Sequence, residues 1–302
     1  MWLAKFSVTR RYIFICLTME KHWSLIGLPD DTGVKNVNGR TGAAGGPAAF
    51  RTFFDKLKGN PDVKHFLQDC GDIHVQPDIQ NTHHRAADAI ADARLKSKFT
   101  VVVGGGHDLV YPHLCAYKNG RDSGKKLGCI NIDVHLDLRP DTPVLTSGSP
   151  FFMALNNHIL EGECFVEFGI QEYANAEELF AFATEKNVNI VSFDDLRNGQ
   201  AVNSFRKSLD YLSERCDEII ISLDLDAFQA AFAPGVSAPA PEGFTPSEVI
   251  EMLRIAAENE KVVSLGIYEL NPDFDIDNRT ARLAAVCAYQ FASVKLTNHL
   301  LL

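Results

Sequence analysis

Three short segments of the chain carry imidazole and carboxylate side chains at spacings that suit metal binding. The segments are residues 104–107, 133–137 and 222–226. Residues two apart in an extended chain project to the same side, so the polar side chains within residues 133–137 and within residues 222–226 converge. Burying such carboxylates without a cation is unfavourable or forces them to take up protons. The candidate metal ligands are His107, Asp133, His135, Asp137, Asp224 and Asp226.

Each segment taken alone also has an ordinary structural interpretation. Residues 104–107 fit a glycine turn with an incidental histidine, residues 133–137 fit a solvated strand end, and an isolated Asp-x-Asp is weak evidence. A phosphate-binding loop is disfavoured after Gly106, because no Gly-Lys-Ser/Thr follows. Six ligands exceed the needs of one tetrahedral ion and include no cysteine, which favours a pair of harder ions such as Mn²⁺ over structural Zn²⁺. Two bridged ions lower the pKa of a shared water, so hydrolysis is the expected reaction class.

The elements that must position these ligands are short apolar runs typical of buried strands. In a parallel sheet, ligands bind beyond the carboxyl ends of the strands, where the three segments lie. Helix-length segments separate the runs, which predicts an α/β fold with a mostly parallel eight-stranded sheet covered on both faces. Helices are predicted at 86–96 and 174–183, and another begins at Thr245-Pro246-Ser247-Glu248. The predicted strands are 24–28, 72–75, 99–103, 127–132, 165–168, 188–191, 218–223 and 262–267.

Composition and charge restrict the class of partner. The 302 residues include 29 Lys and Arg against 39 Asp and Glu, giving a formal charge of −10, and basic residues cluster only in pairs. Nucleic-acid and anionic-membrane binding are therefore disfavoured, and a small-molecule partner is expected. The seven cysteines form no Cys-x-x-Cys pair, which indicates a reducing compartment, and we expect the cytoplasm. The sequence also lacks an apolar stretch long enough to span a membrane.

The chain is predicted to contain one catalytic domain after a short N-terminal segment. Residues 1–22 are expected to be an extension, either disordered or lying upstream of a natural start at Met19. Residues 23–302 show no linker, repeat or abrupt change in charge, and we interpret them as a single domain.

The three segments, in this order, resemble the metal motifs of the arginase/agmatinase (ureohydrolase) family of binuclear manganese hydrolases. The resemblance runs from about residue 24 to residue 302 and implies a three-layer α-β-α fold with two Mn²⁺ per chain. It also implies a homo-oligomer, a trimer or a hexamer, although the surface pattern does not show one. The resemblance assigns one ion to His107, Asp133, Asp137 and Asp224. It assigns the other ion to Asp133, His135, Asp224 and Asp226, with Asp133 and Asp224 bridging.

Features at the substrate end resemble the formiminoglutamase branch of the family. Residues 136–139 are similar to that branch, and Ser147 stands where arginases and agmatinases carry a histidine. The resemblance implies that Asp137 orients the nucleophile and that Glu269 receives the cationic nitrogen of the substrate. Arg139, Ser147 and Asn271 are the predicted substrate-binding residues. An ion pair of Arg139 with a nearby aspartate, and a turn role for Ser147, are the structural alternatives.

The expected reaction is hydrolysis of N-formimino-L-glutamate to L-glutamate and formamide, a step of histidine degradation. The alternatives are an agmatinase-like enzyme that releases urea from a guanidino compound, and an inactive arginase-fold protein that serves as a binding or regulatory subunit. The chain departs from the family pattern at Gln229 and Ala230, where Asp and often Pro are usual. We expect metal binding to survive this departure, because neither position is among the six ligands.

Overall fold

The structure is a computed structural model that describes residues 22–118 and 124–300. Eight strands in these residues form one sheet, and every pairing is parallel. The strand order is β2-β1-β3-β8-β7-β4-β5-β6. The strands are β1 Trp23–Leu28, β2 Leu67–Asp72, β3 Phe99–Gly104, β4 Leu127–Ile132, β5 Phe165–Ile170, β6 Asn189–Ser192, β7 Glu218–Asp224 and β8 Val262–Tyr268.

Helices cover both faces of the sheet, so the molecule has the predicted three α-β-α layers. Side chains of α2, α3, α8, α9 and α10 pack in one apolar cluster, and those of α4, α5, α6 and α7 pack in a second. The helices are α1 Thr32–Asn36, α2 Gly46–Phe54, α3 Asp62–His65, α4 Ile79–Arg94, α5 Val110–Lys118, α6 Pro150–Asn156, α7 Glu177–Glu185, α8 Ala201–Ser213, α9 Pro246–Glu258 and α10 Arg279–Leu300. No helix of the described residues is long and apolar enough to cross a membrane.

The central strands are buried because both faces of the sheet meet an apolar layer. All six residues of β3 and all six of β4 are buried, as continuous apolar runs predict. Phe205 and Phe291 lie in the cluster on one face, and Leu114 and Phe151 lie in the cluster on the other. Each such side chain contributes roughly 1.5–3 kcal/mol on burial, so the two clusters hold the strands rigidly beneath the loops that follow them.

Seven of the eight predicted strands are confirmed to within two residues. The prediction at 72–75 is wrong, because β2 is Leu67–Asp72 and contains mainly polar, exposed residues. An edge strand of this kind is held by backbone pairing to β1 and carries no apolar signal. The helix start at Thr245 is confirmed, since Thr245 and Glu248 form a capping box.

The boundary between extension and domain stays a prediction. Residues 1–21 of the predicted extension lie outside the described residues.

The strand order is the feature of the fold that matters for function, because it places the carboxyl ends of β3, β8, β7 and β4 side by side. The segments singled out in the sequence follow three of these strands, and Glu269 follows the fourth.

Candidate metal centre

The glycine loop after β3 places His107 beneath the neighbouring strand ends. The backbone of Gly105 approaches that of Asp30 so closely that a Cβ atom at Gly105 would lie 2.0 Å from the Asp30 carbonyl oxygen. The N–H groups of Gly105 and Gly106 donate to the carbonyls of Leu28 and Asp30, both at 2.9 Å. The chain can therefore turn tightly and begin a 3₁₀ helix at His107, which is 1% exposed.

Two aspartates are oriented by hydrogen bonds within their own turns. Asp133 Oδ1 accepts the N–H of His135 at 2.7 Å, and Asp224 Oδ1 accepts the N–H of Asp226 at 2.8 Å. Each bond closes a side-chain-to-backbone turn just after the strand ends. The other oxygen of both carboxylates, Oδ2, then lies beside the His107 ring.

One group of four donors surrounds His107. Its Nδ1 lies 3.1 Å from Asp133 Oδ2, 2.9 Å from Asp137 Oδ2 and 3.1 Å from Asp224 Oδ2. The donor atoms of all four residues fall within 4.8 Å of one another. Asp137 reaches the group from a backbone φ of +49°, which is unusual for a residue other than glycine.

A second group consists of Asp133, His135 and Asp226. His135 Nδ1 lies 3.0 Å from Asp226 Oδ2 and 3.5 Å from Asp133 Oδ1. Asp133 is common to both groups, with one oxygen directed to each. Asp224 belongs to the first group but not to the second. A bridging role for Asp224 therefore stays a prediction.

The charges in these groups perturb one another strongly. Burial opposes a charge on His107, but the carboxylates of Asp133, Asp137 and Asp224 outweigh burial and raise the pKa of the imidazole well above its usual range. Burial, together with the charges of Asp226 and Asp133, raises the pKa of the Asp224 carboxyl. Burial likewise raises the pKa of Asp226 to about 7. A cation placed among these buried carboxylates offsets their mutual repulsion.

The donor set fits divalent cations of the Mn²⁺ type. Two buried carboxylate oxygens at the centre, Asp226 Oδ1 and Glu269 Oε2, have no hydrogen-bond partner among the described residues. His107 Nδ1 faces three carboxylate oxygens without a well-aligned hydrogen bond. Unsatisfied buried atoms of this kind suit a site that binds a cation. The donors are carboxylate oxygens and imidazole nitrogens without a thiolate, which suits Mn²⁺ better than structural Zn²⁺. His107 and His135 with the four aspartates would hold the ions.

Glu269 lies next to the first donor group. One of its carboxylate oxygens is hydrogen-bonded, and the other has no partner in the described residues. It follows β8 at a φ of +66°, and its Oε1 accepts the N–H of His107 at 2.9 Å. Its Oε2 is buried and without a partner in the described chain. Burial and the charge of Asp224 raise the pKa of the Glu269 carboxyl well above its ordinary value. A carboxylate so placed can receive a cationic N–H group.

A cavity of about 150 Å³ opens onto both donor groups. Arg139 and Ser147, two of the predicted substrate-binding residues, line the cavity together with Glu269. Among the described residues the Arg139 guanidinium forms neither a hydrogen bond nor an ion pair, so the predicted alternative of a salt bridge with Asp137 or Asp141 is not found. The rest of the lining is formed by residues that were not predicted to belong to the site: Val37, Gly39, Gly148, Ser237 and Ala238.

Two positions discussed in the sequence lie away from this cavity. The Asn271 amide donates to the carbonyls of Arg40 and Thr41 at 2.9 and 3.1 Å, and its oxygen accepts the N–H of Asp273. The structure therefore places Asn271 between loops rather than in the cavity lining. Gln229 is half-buried, and its backbone N–H donates to Phe244.

Several residues behind the ligands were not identified from the sequence. Ser222 Oγ is 2.9 Å from His107 Nε2, and the Tyr268 ring packs on the His107 ring at 5.1 Å between centroids. Asn131 Nδ2 donates to Asp133 Oδ2 at 3.3 Å. Ser222 and Asn131 each lie two residues before a ligand aspartate, so the alternation of side chains along a strand was the signal that could have identified them.

Known proteins match most of the chain in sequence. The Arginase family profile matches residues 21–293. A formimidoylglutamase of Staphylococcus carnosus is 33% identical over 271 residues, covering 88% of this chain and 84% of that protein. Its counterpart from Macrococcus caseolyticus is 35% identical over 271 residues, covering 88% of this chain and 83% of that protein.

Solved structures agree in fold. Trypanosoma cruzi formiminoglutamase, solved with two Mn²⁺, superposes with a TM-score of 0.83 at 28% identity, over 90% of this chain and 92% of that chain. The formimidoylglutamase of Bacillus subtilis superposes with a TM-score of 0.82 at 26% identity, over 91% of this chain and 87% of that chain.

Proposed function

The chain belongs to the arginase family, and from this premise we propose that it is a binuclear manganese hydrolase that converts N-formimino-L-glutamate and water to L-glutamate and formamide. The observation that carries the proposal is the convergence of two buried donor groups, sharing Asp133, with Glu269 and Arg139 on one cavity. The family provides the reaction class, and relatives named formimidoylglutamase support the substrate.

The two donor groups would hold the two ions, and Asp133 would contribute to both. When bound, Mn²⁺ acts as a Lewis acid and lowers the pKa of water, which supplies a nucleophile near neutral pH. Asp137 lies at the border between the first donor group and the cavity, and its side chain is 13% exposed. It can accept a hydrogen bond from the attacking water and so direct the water oxygen toward the formimino carbon.

Glu269 and Arg139 define the two ends of the substrate. The free Oε2 of Glu269 accepts an N–H from the cationic formimino group. The planar guanidinium of Arg139 pairs with a carboxylate of the glutamyl part, and Ser147 offers a hydroxyl in the same lining. The water oxygen bonds to the formimino carbon and the bond from that carbon to the glutamate nitrogen breaks. The two protons of the water end on the glutamate nitrogen, which leaves as an ammonium group, and the other formimino nitrogen stays on the carbon as the amide of formamide.

A substrate panel tests the proposal. Manganese-loaded protein is expected to release glutamate and formamide in equal amounts from N-formimino-L-glutamate, and no urea from arginine, agmatine or guanidinobutyrate. Asp133→Asn serves as the control, because it removes the carboxylate common to both donor groups. Urea release without glutamate release would replace the proposal by the agmatinase-like alternative. Fewer than one Mn²⁺ per chain and no turnover would favour an inactive binding protein.

We propose further that the enzyme works in the cytoplasm and forms a homo-oligomer. All six cysteines of the described residues are free thiols, which suits a reducing compartment. The oligomer is proposed from family membership, and sedimentation of the purified protein tests it.

A further inference from the structure

A row of buried polar side chains crosses the sheet one step beneath the metal donors. Asn131 of β4 is the register partner of Glu167 on β5 and of Ser222 on β7. All three residues are fully buried. Asn131 and Ser222 precede Asp133 and Asp224 by two positions, so they project from the same face of the sheet as those ligands. Ser222 contacts His107, whereas the proposed reaction makes no use of Asn131 and Glu167.

Asn131 connects Glu167 to the aspartate shared by the two donor groups. Its Nδ2 donates to Glu167 Oε2 at 2.9 Å and to Asp133 Oδ2 at 3.3 Å. Asp133 Oδ2 is the oxygen that lies 3.1 Å from His107 Nδ1. The amide of Asn131 therefore reaches the same oxygen that Asp133 contributes to the first donor group.

Stability alone does not account for this pair. Glu167 Oε1 and Asn131 Oδ1 are both buried without a hydrogen-bond partner in the described chain, and Glu167 forms no ion pair there. Apolar side chains of similar size would pack at these positions without leaving unpaired oxygens. Glu218, a buried glutamate at the start of β7, differs because it is paired with Arg94 and Lys125.

We propose that Asn131 and Glu167 are positioning residues that fix the Asp133 carboxylate and thereby set the affinity of the centre for Mn²⁺. Glu167 holds the Asn131 amide in one orientation, and that amide holds Asp133 Oδ2 directed at the first donor group. Without the amide, Asp133 Oδ2 loses its donor and only the His135 N–H on Oδ1 still orients the carboxylate. The loss of a partner behind a metal ligand typically lowers metal affinity by 10–100-fold. The inference rests on the proposed function in one respect, that the donor groups bind Mn²⁺.

Titration of metal-free protein with Mn²⁺, followed through the electron paramagnetic resonance signal of free aqueous Mn²⁺, tests the inference. Asn131→Ala and Glu167→Leu are expected to weaken binding of at least one ion about 10–100-fold. Glu167→Gln is expected to stay within about threefold of the wild type, because the glutamine oxygen can still accept the Asn131 N–H. Glu218→Gln, which alters a buried glutamate far from the centre, is the matched control and should bind Mn²⁺ like the wild type.

Thermal unfolding of the metal-free proteins separates folding from positioning. A lower melting temperature in Asn131→Ala and Glu167→Leu with Mn²⁺ affinity within twofold of the wild type would mean a purely structural role and would overturn the inference. If Glu167→Leu does not fold, Asn131→Ala decides by the same criterion. Failure of the wild type itself to bind two ions would instead defeat the proposed function, so the two failures are distinguishable.

Discussion

The two carboxylate oxygens of Glu269 have different contacts, so one substitution can remove the charge and keep the hydrogen bond to His107. Glu269→Gln keeps an oxygen that can accept the N–H of His107 but removes the negative charge at the cavity. We expect kcat/KM for N-formimino-L-glutamate to fall about 100-fold, as for loss of a charge-assisted hydrogen bond. Steady-state assays with Mn²⁺ analysis measure the effect. Two ions per chain should be retained, and an unchanged kcat/KM would remove Glu269 from the mechanism.

Arg139 is predicted to bind the carboxylate at the other end of the substrate. Arg139→Ala should raise KM for N-formimino-L-glutamate about 10–100-fold and change kcat less, because a bidentate pair with a carboxylate contributes about 1.5–3 kcal/mol. Arg215→Ala, at a surface arginine beside Glu214, is the control and should leave KM unchanged. A KM for Arg139→Ala equal to that of the wild type would show that the carboxylate binds elsewhere.

At the scale of elements, the loop after β3 depends on the absence of a side chain at Gly105. Gly105→Ala places a methyl group against the Asp30 carbonyl, so one of the two backbones must move. We expect a loss of about 1–3 kcal/mol in the free energy of unfolding, together with weaker Mn²⁺ binding through His107. Denaturant unfolding and metal titration measure both effects. Gly124→Ala, where no atom of residues 22–118 and 124–300 lies within 4 Å of the added Cβ, should change neither.

Helix α5 makes stability depend on pH through His113. The ring is fully buried and hydrogen-bonded to Tyr268 and Ser264, and burial lowers its pKa to about 3. The unfolded chain takes up this proton near pH 6.5 whereas the folded chain does not. The contribution to stability is therefore complete above about pH 6.5 and is lost as pH falls toward 3, by up to roughly 1.4 kcal/mol per pH unit.

His113→Gln should remove that dependence. In chelator we expect the variant to be about 1–3 kcal/mol less stable than the wild type at pH 7.5, because glutamine replaces the two hydrogen bonds imperfectly. The difference should shrink by pH 5.5, and urea unfolding at both pH values measures it. His74→Gln, at an exposed histidine, is the control. A difference that stays constant with pH would show that the folded protein accepts the proton at His113.

At the scale of the whole molecule, the metal centre joins the ends of strands that are distant along the chain. Removing Mn²⁺ leaves the buried carboxylates of β4 and β7 repelling one another, so chelation should lower the melting temperature, and added Mn²⁺ should restore it. The rise in melting temperature on adding Mn²⁺ should be larger at pH 8 than at pH 6. At pH 6 the metal-free protein holds a proton on Asp226, whose pKa is about 7, and the ion must displace that proton.

Calorimetry with and without Mn²⁺ at the two pH values measures this effect. Mg²⁺ at the same ionic strength is the control for general screening and should give a smaller shift, since imidazole nitrogens suit Mn²⁺ better. A melting temperature that is independent of Mn²⁺ would mean that the donor groups do not bind the ion in the folded state.

Local sequence was sufficient for much of the fold and for the choice of candidate ligands that the structure brings together. Continuous apolar runs located seven strands, because a strand buried on both faces needs no polar alternation. The alternation of side chains indicated that Asp133 and Asp137 would share a side with His135. The polar edge strand β2 was misplaced, since backbone pairing alone specifies it. Asn271 was predicted to bind the substrate, although its amide donates a hydrogen bond to the carbonyl of Arg40 in another loop.

Tertiary structure decided which strand ends are neighbours, and this in turn decided the site. The residue types, their spacing and their place at strand ends can be read from the local sequence, because they depend on the local geometry of the chain. The order β3-β8-β7-β4 depends on pairing between strands that are distant along the chain, such as Val101 with Leu265, and no local pattern encodes it. That order brings Glu269 against His107 and places Asp133 in both donor groups. The pairing of β4 with β5 places Asn131 and Glu167 beneath them.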